Sequence, residues 1–463
     1  MTDPRTIAAV AAGKAARLAL QRLGRGATAL PGIVTLGIAP DAIARLSGTL
    51  AHGAVCISGT NGKTTTSRML SDIVRAAGWA PVHNRSGSNL DRGIAAALLA
   101  DATWGGELRG DVGVFEVDEA SVPRVLARLA PRVLVVTNLF RDQLDRYFEI
   151  DVLARRIAAA VGGLPDTTTL VLNADDPIVA SLANAHRGPL LTFGVDDPAV
   201  GGTVPQAISD ATRCPRCRQP LAYTRVVLAH VGDWRCPACG LARPLPDVRA
   251  AAVRLGPDAT ALRLGGTVGG AIDEVVVPLP GLYNAYNALA ALAAARALDI
   301  ALSTATRALA SFKPAFGRLE VIEADGRRLR LLLVKNPAGF NAAIGALLET
   351  GRAPRILGAL NDRDADSRDV SWIWDADFEA LAPRVAHATV TGLRSRDLAL
   401  RLKYAGVPLD RIAVVDGWVP ALRSAIDATP PGEELVVIAT YTAMLALRDA
   451  LARLGHVGQF WED

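Results

Sequence analysis

The fold of this chain is decided by Ile57-Ser58-Gly59-Thr60-Asn61-Gly62-Lys63-Thr64-Thr65, which joins an apolar strand, Ala54–Ser58, to an amphipathic helix, Lys63–Ala77. At such a junction, glycines let backbone N–H groups approach phosphate oxygens, and the helix N-terminus adds positive potential. We predict that Lys63 reaches the β- and γ-phosphates of a nucleotide and that the Thr64 hydroxyl holds Mg²⁺. The alternative is a glycine turn that binds nothing. The other predicted nucleotide-binding residues of the loop are Gly59, Thr60, Asn61, Gly62 and Thr65.

The length and composition narrow the class of protein. The chain has 463 residues, which suggests two or three domains, and half of the residues are apolar, which argues against extensive disorder. The 50 Lys and Arg residues against 46 Asp and Glu give a net charge of +4, too balanced for a protein that coats nucleic acid. No segment reads as membrane-spanning, and no signal peptide is evident, so we expect a cytoplasmic protein. The basic N-terminal stretch, Met1–Gly32, is either a helix packed on the core or a weak contact for anionic lipid.

The order of elements indicates an α/β protein with a parallel sheet and helices on both faces. Residues 1–50 form a predicted N-terminal helical segment, residues 51–314 a middle domain and residues 315–463 a second α/β domain. Within the middle domain, helical periodicity vanishes at about residues 210–246, which indicates a small insertion. The later predicted elements are strands Val112–Val117, Val133–Thr137, Leu170–Asn173, Leu329–Val334, Arg355–Leu360, Ala388–Thr391, Ile412–Val415 and Leu435–Thr440, helix Tyr283–Ala297, and short strands with glycine turns over Ala250–Val277.

Four of the five cysteines form two pairs within the insertion, Cys214-x₂-Cys217 and Cys236-x₂-Cys239, with eighteen residues between the pairs. This spacing is typical of a zinc ribbon. Four thiolates leave no open coordination position, so we predict a structural Zn²⁺ site. Disulfide pairing and a catalytic zinc are the alternatives. Cys56 lies in a predicted buried strand and is interpreted as a small apolar residue.

Acidic residues follow several predicted strands. Glu116 ends a strand beside the phosphate loop, where hard oxygen ligands suit Mg²⁺. Asp118 and Glu119 either join that site or cap the following helix. Six aspartates lie between Asp362 and Asp377, which indicates either a solvated loop or a binding site.

Four motifs, taken in order, resemble those of the Mur ligase superfamily, which includes the folylpolyglutamate synthases. The resemblance implies a Mur-ligase-like parallel-sheet ATP-binding domain that carries the zinc ribbon, followed by a C-terminal Rossmann-like α/β domain. It also implies that Asn284 and Asn287 contact adenine, that Arg318 belongs to the nucleotide site, and that Glu116 binds magnesium. The motifs are Gly59–Thr65, Thr137-Asn138-x₃-Asp142-Gln143-Leu144-Asp145, Gly281-Leu282-Tyr283-Asn284-x₂-Asn287-x-Leu289-Ala290-Ala291 and Gly317-Arg318-Leu319-Glu320.

Three positions depart from the superfamily pattern. Gln143 and Tyr283 stand where histidines are usual, and Ile157 lies about where a carbamylated lysine is expected. These departures disfavour a second metal and the usual amino-acid acceptor.

The stretch Asn361–Phe378 closely resembles one branch of the superfamily, the MurT family. The four-cysteine ribbon, Gln143 and Lys335-Asn336-Pro337-Ala338-Gly339 resemble that family too, whereas Ser367 replaces a glycine. The resemblance implies an ATP-dependent ligase subunit that amidates the α-carboxylate of D-glutamate in the peptidoglycan precursor lipid II at the inner face of the membrane. It further implies a one-to-one complex with a GatD-like class I glutaminase, whose catalytic triad Asp369 completes.

The cysteine pattern agrees with a separate source of ammonia. Glutamine hydrolysis by a glutaminase needs a nucleophilic thiolate, and this chain is predicted to have none available. Lys63 and Glu116 are the predicted catalytic residues for phosphoryl transfer, together with Asp369 for the partner. Two other functions remain open, a free-standing Mur or folylpolyglutamate-type amino-acid ligase and a zinc-ribbon protein that binds nucleic acid.

Overall fold

Seventeen strands lie in the part of the chain that the computed structural model describes, namely residues 3–22, 29–84, 89–140, 150–203, 210–266, 274–313, 318–348, 354–366 and 368–457. The strands are β1 (Ala54–Ser58), β2 (Pro81–His83), β3 (Val112–Glu116), β4 (Val133–Val136), β5 (Thr169–Asn173), β6 (Leu190–Val195), β7 (Ala222–Leu228), β8 (Val231–Arg235), β9 (Val248–Leu255), β10 (Thr260–Gly266), β11 (Val275–Val277), β12 (Arg318–Ala324), β13 (Arg327–Leu333), β14 (Arg355–Ala359), β15 (His387–Thr391), β16 (Ile412–Val414) and β17 (Glu434–Ala439).

The same residues form fifteen α-helices. They are α1 (Pro4–Arg22), α2 (Leu30–Ile38), α3 (Ala42–Ser47), α4 (Lys63–Ala76), α5 (Asp91–Asp101), α6 (Val122–Leu126), α7 (Ile150–Gly162), α8 (Pro177–Ser181), α9 (Leu282–Ala297), α10 (Leu302–Ala310), α11 (Pro337–Leu348), α12 (Phe378–Leu381), α13 (Ser395–Ala405), α14 (Trp418–Asp427) and α15 (Tyr441–Arg453). None of these helices is long and apolar enough to cross a membrane.

The first sheet has nine strands in the order β11-β10-β9-β6-β5-β4-β1-β3-β2. Strands β9, β6, β5, β4, β1, β3 and β2 pair in parallel, and β10 pairs antiparallel with both of its neighbours, β9 and β11. Strand β1 is central and completely buried, as its run of apolar residues predicts. The carboxyl ends of β1, β3, β4 and β5 therefore meet at one edge, where parallel sheets place their sites.

The second sheet has six strands in the order β12-β13-β17-β14-β15-β16. Only β12 is antiparallel. The predicted parallel α/β architecture is confirmed for both sheets, although the sequence analysis did not predict β2, β6 or β12. The sequence-derived domain limits remain a prediction. Strands β7 and β8 pair with each other in a two-stranded sheet and form a hairpin in the insertion.

Helix packing completes both faces of the first sheet. Helix α9 is buried along residues 284–295 and contacts α4 and strands β5, β6 and β9, because its many alanines permit close approach. At the N-terminus, α1 packs on α2 and α5, and Val10 joins the apolar core beneath the first sheet. The interpretation of this stretch as a helix packed on the core is confirmed.

Candidate functional site

The predicted phosphate loop lies between β1 and α4 with the backbone conformation that its glycines permit. Gly59 has φ +132° and Gly62 has φ +86°, a region that L-residues rarely adopt. A Cβ atom on Gly59 would overlap Thr137 Oγ1, and one on Gly62 would overlap Asn287 Oδ1. The loop therefore requires glycine at both positions, which leaves its backbone accessible to a phosphate chain.

The Thr137-Asn138 motif holds the phosphate loop in place from the adjacent strand. Thr137 Oγ1 donates to Asn61 O at 2.8 Å, and Asn61 N donates to Asn138 Oδ1 at 2.8 Å. Thr60 N also donates to Asn138 O at 2.9 Å. These bonds give this motif a structural role that the resemblance alone did not specify. The remainder of the motif, residues 142–145, lies outside the described residues.

Lys63 makes a buried ion pair beside the loop. Its Nζ atom lies 2.8 Å from Oε2 of Glu119, and the two side chains are only 6% and 3% exposed. Lys63 also donates to the carbonyl oxygens of Gly59 and Thr60. Burial by itself would raise the pKa of the Glu119 carboxyl, but the positive charges of Lys63 and Lys335 hold that pKa below its usual value. Glu119 therefore faces the phosphate loop, whereas the capping role belongs to Asp118, which accepts from Ala120 N.

Thr64 and Glu116 form a second pair at the same edge. Thr64 Oγ1 donates to Glu116 Oε2 at 2.7 Å, so that a hydroxyl and a carboxylate converge, as the predicted magnesium site requires. Asn84 holds the backbone of Glu116 through two hydrogen bonds, one in each direction, at 2.8 and 2.9 Å. The sequence analysis missed Asn84, because this contact joins two parallel strands without a motif.

A cavity begins at the phosphate loop and extends between the two sheets. Asn284 and Asn287 of α9 line it, and Asn287 Nδ2 donates to Asn284 Oδ1 at 3.1 Å. The phosphate loop and the two asparagines therefore face one space, as a bound nucleotide would require. The residues that line the cavity are Asn61, Gly62, Thr65, Asn138, Phe140, Asn173, Leu228, Val231, Leu279, Tyr283, Asn284, Tyr286, Asn287, Phe312, Leu332, Leu333, Ala338, Gly339, Ala342 and Ala343.

The C-terminal part of the chain contacts the phosphate loop directly. Asn336 is buried and donates from Nδ2 to Asn61 Oδ1 at 3.2 Å, and its own Oδ1 accepts from Gly339 N. The side chain of Arg318, a predicted nucleotide-site residue, lies outside the described residues.

The four paired cysteines come together as predicted, with all four Sγ atoms within 4.8 Å of one another. Cys214 Sγ lies 3.6 Å from Cys239 Sγ, and Cys217 Sγ lies 3.4 Å from Cys236 Sγ. A tetrahedral zinc site with Zn–S bonds of about 2.3 Å needs sulfur atoms about 3.8 Å apart, so the cluster is compatible with zinc. None of the five cysteines is in a disulfide, which contradicts the disulfide alternative.

Cys56 lies in the middle of β1 and is completely buried. Burial raises the pKa of its thiol to about 12. It is therefore a protonated core residue at neutral pH, as the sequence analysis interpreted it.

A buried polar network missed by the sequence analysis joins the insertion to α9. Arg243 Nε lies 2.7 Å from Oδ1 of Asp175, and Tyr286 OH donates to the other oxygen, Oδ2, at 2.7 Å. Burial raises the pKa of the Asp175 carboxyl above its usual value, although Arg243 opposes this effect. The neighbouring Asp176 caps α8 by accepting from Ile178 N and Val179 N. Asp175 instead anchors the network.

The aspartates of the C-terminal loop mostly orient hydrogen-bond donors. Asp369 is partly exposed, and its Oδ1 accepts from Ser371 N at 2.8 Å. Asp366 is completely buried and accepts from Thr442 N at the start of α15. Asp362 pairs with Arg394, Asp364 pairs with Arg368, and Asp377 caps α12. Ser367 lies outside the described residues.

Comparison with known proteins identifies the family of folds to which the chain belongs. Residues 57–213 match the Mur ligase middle domain, and residues 333–444 match the MurT ligase C-terminal domain. A pseudomurein peptide ligase type C from Methanothermus fervidus superimposes with a TM-score of 0.64 at 22% identity, covering 87% of this chain and 78% of that one. Folylpolyglutamate synthase of Mycobacterium tuberculosis, complexed with ADP and AMPPCP, gives a TM-score of 0.62 at 18% identity, covering 96% and 100%. The fold and the phosphate loop are those of the Mur ligases, and this fold implies ATP and Mg²⁺.

Two relatives show to which branch of the Mur ligase superfamily the chain belongs. Lipid II isoglutaminyl synthase (glutamine-hydrolyzing) subunit MurT from Streptococcus pneumoniae strain R6 is 33% identical over 97% of each chain. The subunit of the same name from Staphylococcus aureus strain N315 is 33% identical over 97% of this chain and 99% of its own length. The chain belongs to the MurT family and is a ligase of peptidoglycan biosynthesis.

Proposed function

We propose that the chain is the ATP-using subunit of a lipid II isoglutaminyl synthase. It amidates the α-carboxylate of D-glutamate in lipid II to D-isoglutamine, with ammonia from a GatD-like glutaminase subunit. The likeness to MurT subunits over 97% of the chain carries this proposal. Because the substrate is linked to lipid, the reaction takes place at the inner face of the membrane.

The arrangement of the site suits activation of a carboxylate. A carboxylate is a poor electrophile, so transfer of the γ-phosphoryl group of ATP to its oxygen forms an acyl phosphate and releases ADP. Ammonia then attacks the carbonyl carbon, and inorganic phosphate leaves. Lys63 reaches the phosphates, and its charge offsets the charge of the transferring group. Thr64 and Glu116 would hold Mg²⁺, which would supply positive charge beside the phosphate oxygens.

The remaining predicted residues bind and orient the nucleotide. The backbone of Gly59–Thr65 holds the phosphates, and Asn284 and Asn287 bind the adenine base. Arg318 belongs to the same site by resemblance. The four-cysteine cluster holds a structural Zn²⁺ ion, since its four thiolates fill a tetrahedral shell.

The state of the cysteines supports glutamine hydrolysis by another subunit. Cys56 is buried and protonated, and the other four cysteines lie in one cluster. A nucleophilic thiolate for glutamine must therefore come from the partner. We place Asp369 at the surface that meets this partner, where its carboxylate orients the catalytic histidine of the glutaminase.

Co-expression with a candidate glutaminase tests the proposed function. The purified complex is incubated with lipid II, ATP, Mg²⁺ and glutamine, and the product is analysed by mass spectrometry. The expected result is the small mass decrease that accompanies conversion of a carboxyl to a carboxamide, with release of ADP and phosphate. An intact complex that leaves the mass unchanged contradicts the proposal. In a parallel incubation with candidate amino acids, a mass increase equal to one amino-acid residue indicates the free-standing ligase instead.

A further inference from the structure

The tip of the β7–β8 hairpin reaches the cavity that begins at the phosphate loop. Leu228 ends β7, Val231 begins β8, and both side chains line the cavity together with Asn284. These two side chains are apolar and cannot satisfy phosphate oxygens. They are suited instead to the flat face of a base.

The turn at this tip has a costly backbone conformation. Ala229 has φ +55°, which is unfavourable for a residue with a Cβ atom. The next residue, His230, is completely buried, and its ring lies 4.6 Å from the ring of Phe140, which also lines the cavity. A conformation of this kind persists where the surrounding structure fixes it. The tip is therefore held firmly against the cavity wall.

The hairpin and the asparagine helix share one anchor at the end of β5. Gly232 N donates to Asp175 O at 2.9 Å, and Trp234 Nε1 donates to Ala174 O at 3.1 Å. Asp175 also accepts from Tyr286 OH, and Tyr286 lies between Asn284 and Asn287 on α9. A shift of the hairpin would therefore be transmitted to the helix that carries the two asparagines.

The cysteine cluster closes the opposite end of the hairpin. Cys214 and Cys217 precede β7, and Cys236 and Cys239 follow β8, so a metal bound by all four ties the two strands together at their base. The hairpin is a two-stranded sheet separate from the other two, and such a sheet has little stability alone. The metal site therefore stabilises the element that bears Leu228 and Val231.

We propose that the ribbon is part of the nucleotide site, with Leu228 and Val231 forming a wall against which the purine ring packs and the cysteine cluster holding that wall in position. This inference rests on the proposed function, because it takes the ligand of the cavity to be a nucleotide. It gives the ribbon a role in binding as well as in folding.

The test compares two ligands in the full-length chain. Dissociation constants of Mg·ADP and of inorganic tripolyphosphate are measured by calorimetry for the unmodified chain, for Leu228→Ala and for the control Thr224→Ala. Thr224 is exposed on the same strand and does not line the cavity. Leu228→Ala is expected to weaken ADP binding roughly tenfold, because a shortened apolar side chain removes contact with the base. Tripolyphosphate binding is expected to stay unchanged, and so is ADP binding to Thr224→Ala.

A second variant tests the contribution of the cluster. Cys239→Ser is expected to lose bound zinc, measured by elemental analysis, and to bind ADP more weakly while still binding tripolyphosphate. An unmodified chain that binds ADP, with equal affinity in Leu228→Ala and Cys239→Ser, overturns the inference and leaves the proposed function intact. An unmodified chain that binds tripolyphosphate but not ADP, or neither, overturns both.

Discussion

The ammonium group of Lys63 lies 2.8 Å from the carboxylate of Glu119, and both groups are buried beside the phosphate loop. The pair holds the lysine at the N-terminus of α4, close to the place where the phosphates are proposed to bind. Glu119 also experiences the positive charge of Lys335, which lies between β13 of the second sheet and α11. This pair is therefore a point at which the two parts of the chain meet electrostatically.

Replacement of Glu119 by Gln is expected to destabilise the protein. The change leaves Lys63 buried without its counter-ion, which typically costs about 3–5 kcal/mol of the free energy of unfolding. Denaturant titration at neutral pH measures the loss. The control is Glu274→Gln, which removes a solvent-exposed pair with Arg254 and should cost less than about 1 kcal/mol. Equal losses in the two variants would show that the buried Lys63–Glu119 pair stabilises the protein no more than an exposed ion pair does.

The contribution of Glu119 to stability should also depend on pH. The pKa of Glu119 is lower in the folded protein than its usual value of 4.5, so its contribution to stability is present above that value. This contribution is lost as the pH falls through the lower, folded pKa. The difference in stability between the unmodified chain and Glu119→Gln should therefore be largest near neutral pH and shrink below about pH 4.5. A difference in stability that grows on acidification would contradict a lowered pKa of Glu119 in the folded protein.

Two glycines that flank α4, one at each end, separate the effect of backbone strain from that of steric overlap. Gly62 and Gly78 have φ values of +86° and +87°, but a Cβ atom would overlap Asn287 Oδ1 at Gly62 and meet nothing at Gly78. Alanine at either position should cost about 1–2 kcal/mol from backbone strain. Only Gly62→Ala should also weaken nucleotide binding, as measured by calorimetry, because it displaces Asn287. Loss of binding in both variants would mean that backbone strain, and not the displacement of Asn287, weakens nucleotide binding.

Arg243→Met is expected to destabilise the chain through Asp175. Without Arg243, a completely buried carboxylate loses its positive partner, which typically costs about 3–5 kcal/mol. Adding Asp175→Asn should restore part of this loss, since the amide carries no charge. Urea unfolding of both single variants and the double variant gives the coupling energy. Strictly additive losses would mean that the two residues do not interact. Arg254→Met serves as the exposed control.

Asp369→Asn is expected to abolish glutamine-dependent amidation and spare amidation with ammonium. An amide cannot orient and stabilise a histidinium as a carboxylate does, so the glutamine-dependent rate should fall by roughly 10³- to 10⁴-fold. Asn still offers an oxygen to Ser371 N, so the loop is expected to keep its shape. Asp364→Asn, which removes an exposed pair with Arg368, is the matched control. Loss of both activities would argue against a role in the partner's triad.

The sequence by itself determined the features that depend on neighbouring residues. The phosphate loop, the strand before it and the helix after it follow from local glycine, lysine and apolar positions, and the structure has them within one residue of the prediction. The cysteine cluster also follows from spacing, because each pair approaches one metal from a single turn. Strands β2, β6 and β12 were missed.

Only the tertiary structure decided which distant residues meet. The sequence showed Glu119 after a strand and left open whether it joins the magnesium site or caps a helix. Its pairing with Lys63 was not predicted, because 56 positions separate the two residues. Asn336 reaches Asn61 across 275 positions, and Tyr286 reaches Asp175 across 111. Such contacts depend on how strands order themselves within a sheet and on how the two sheets face each other. For the same reason the sequence predicted a ribbon, whereas the fold placed its tip at the nucleotide cavity.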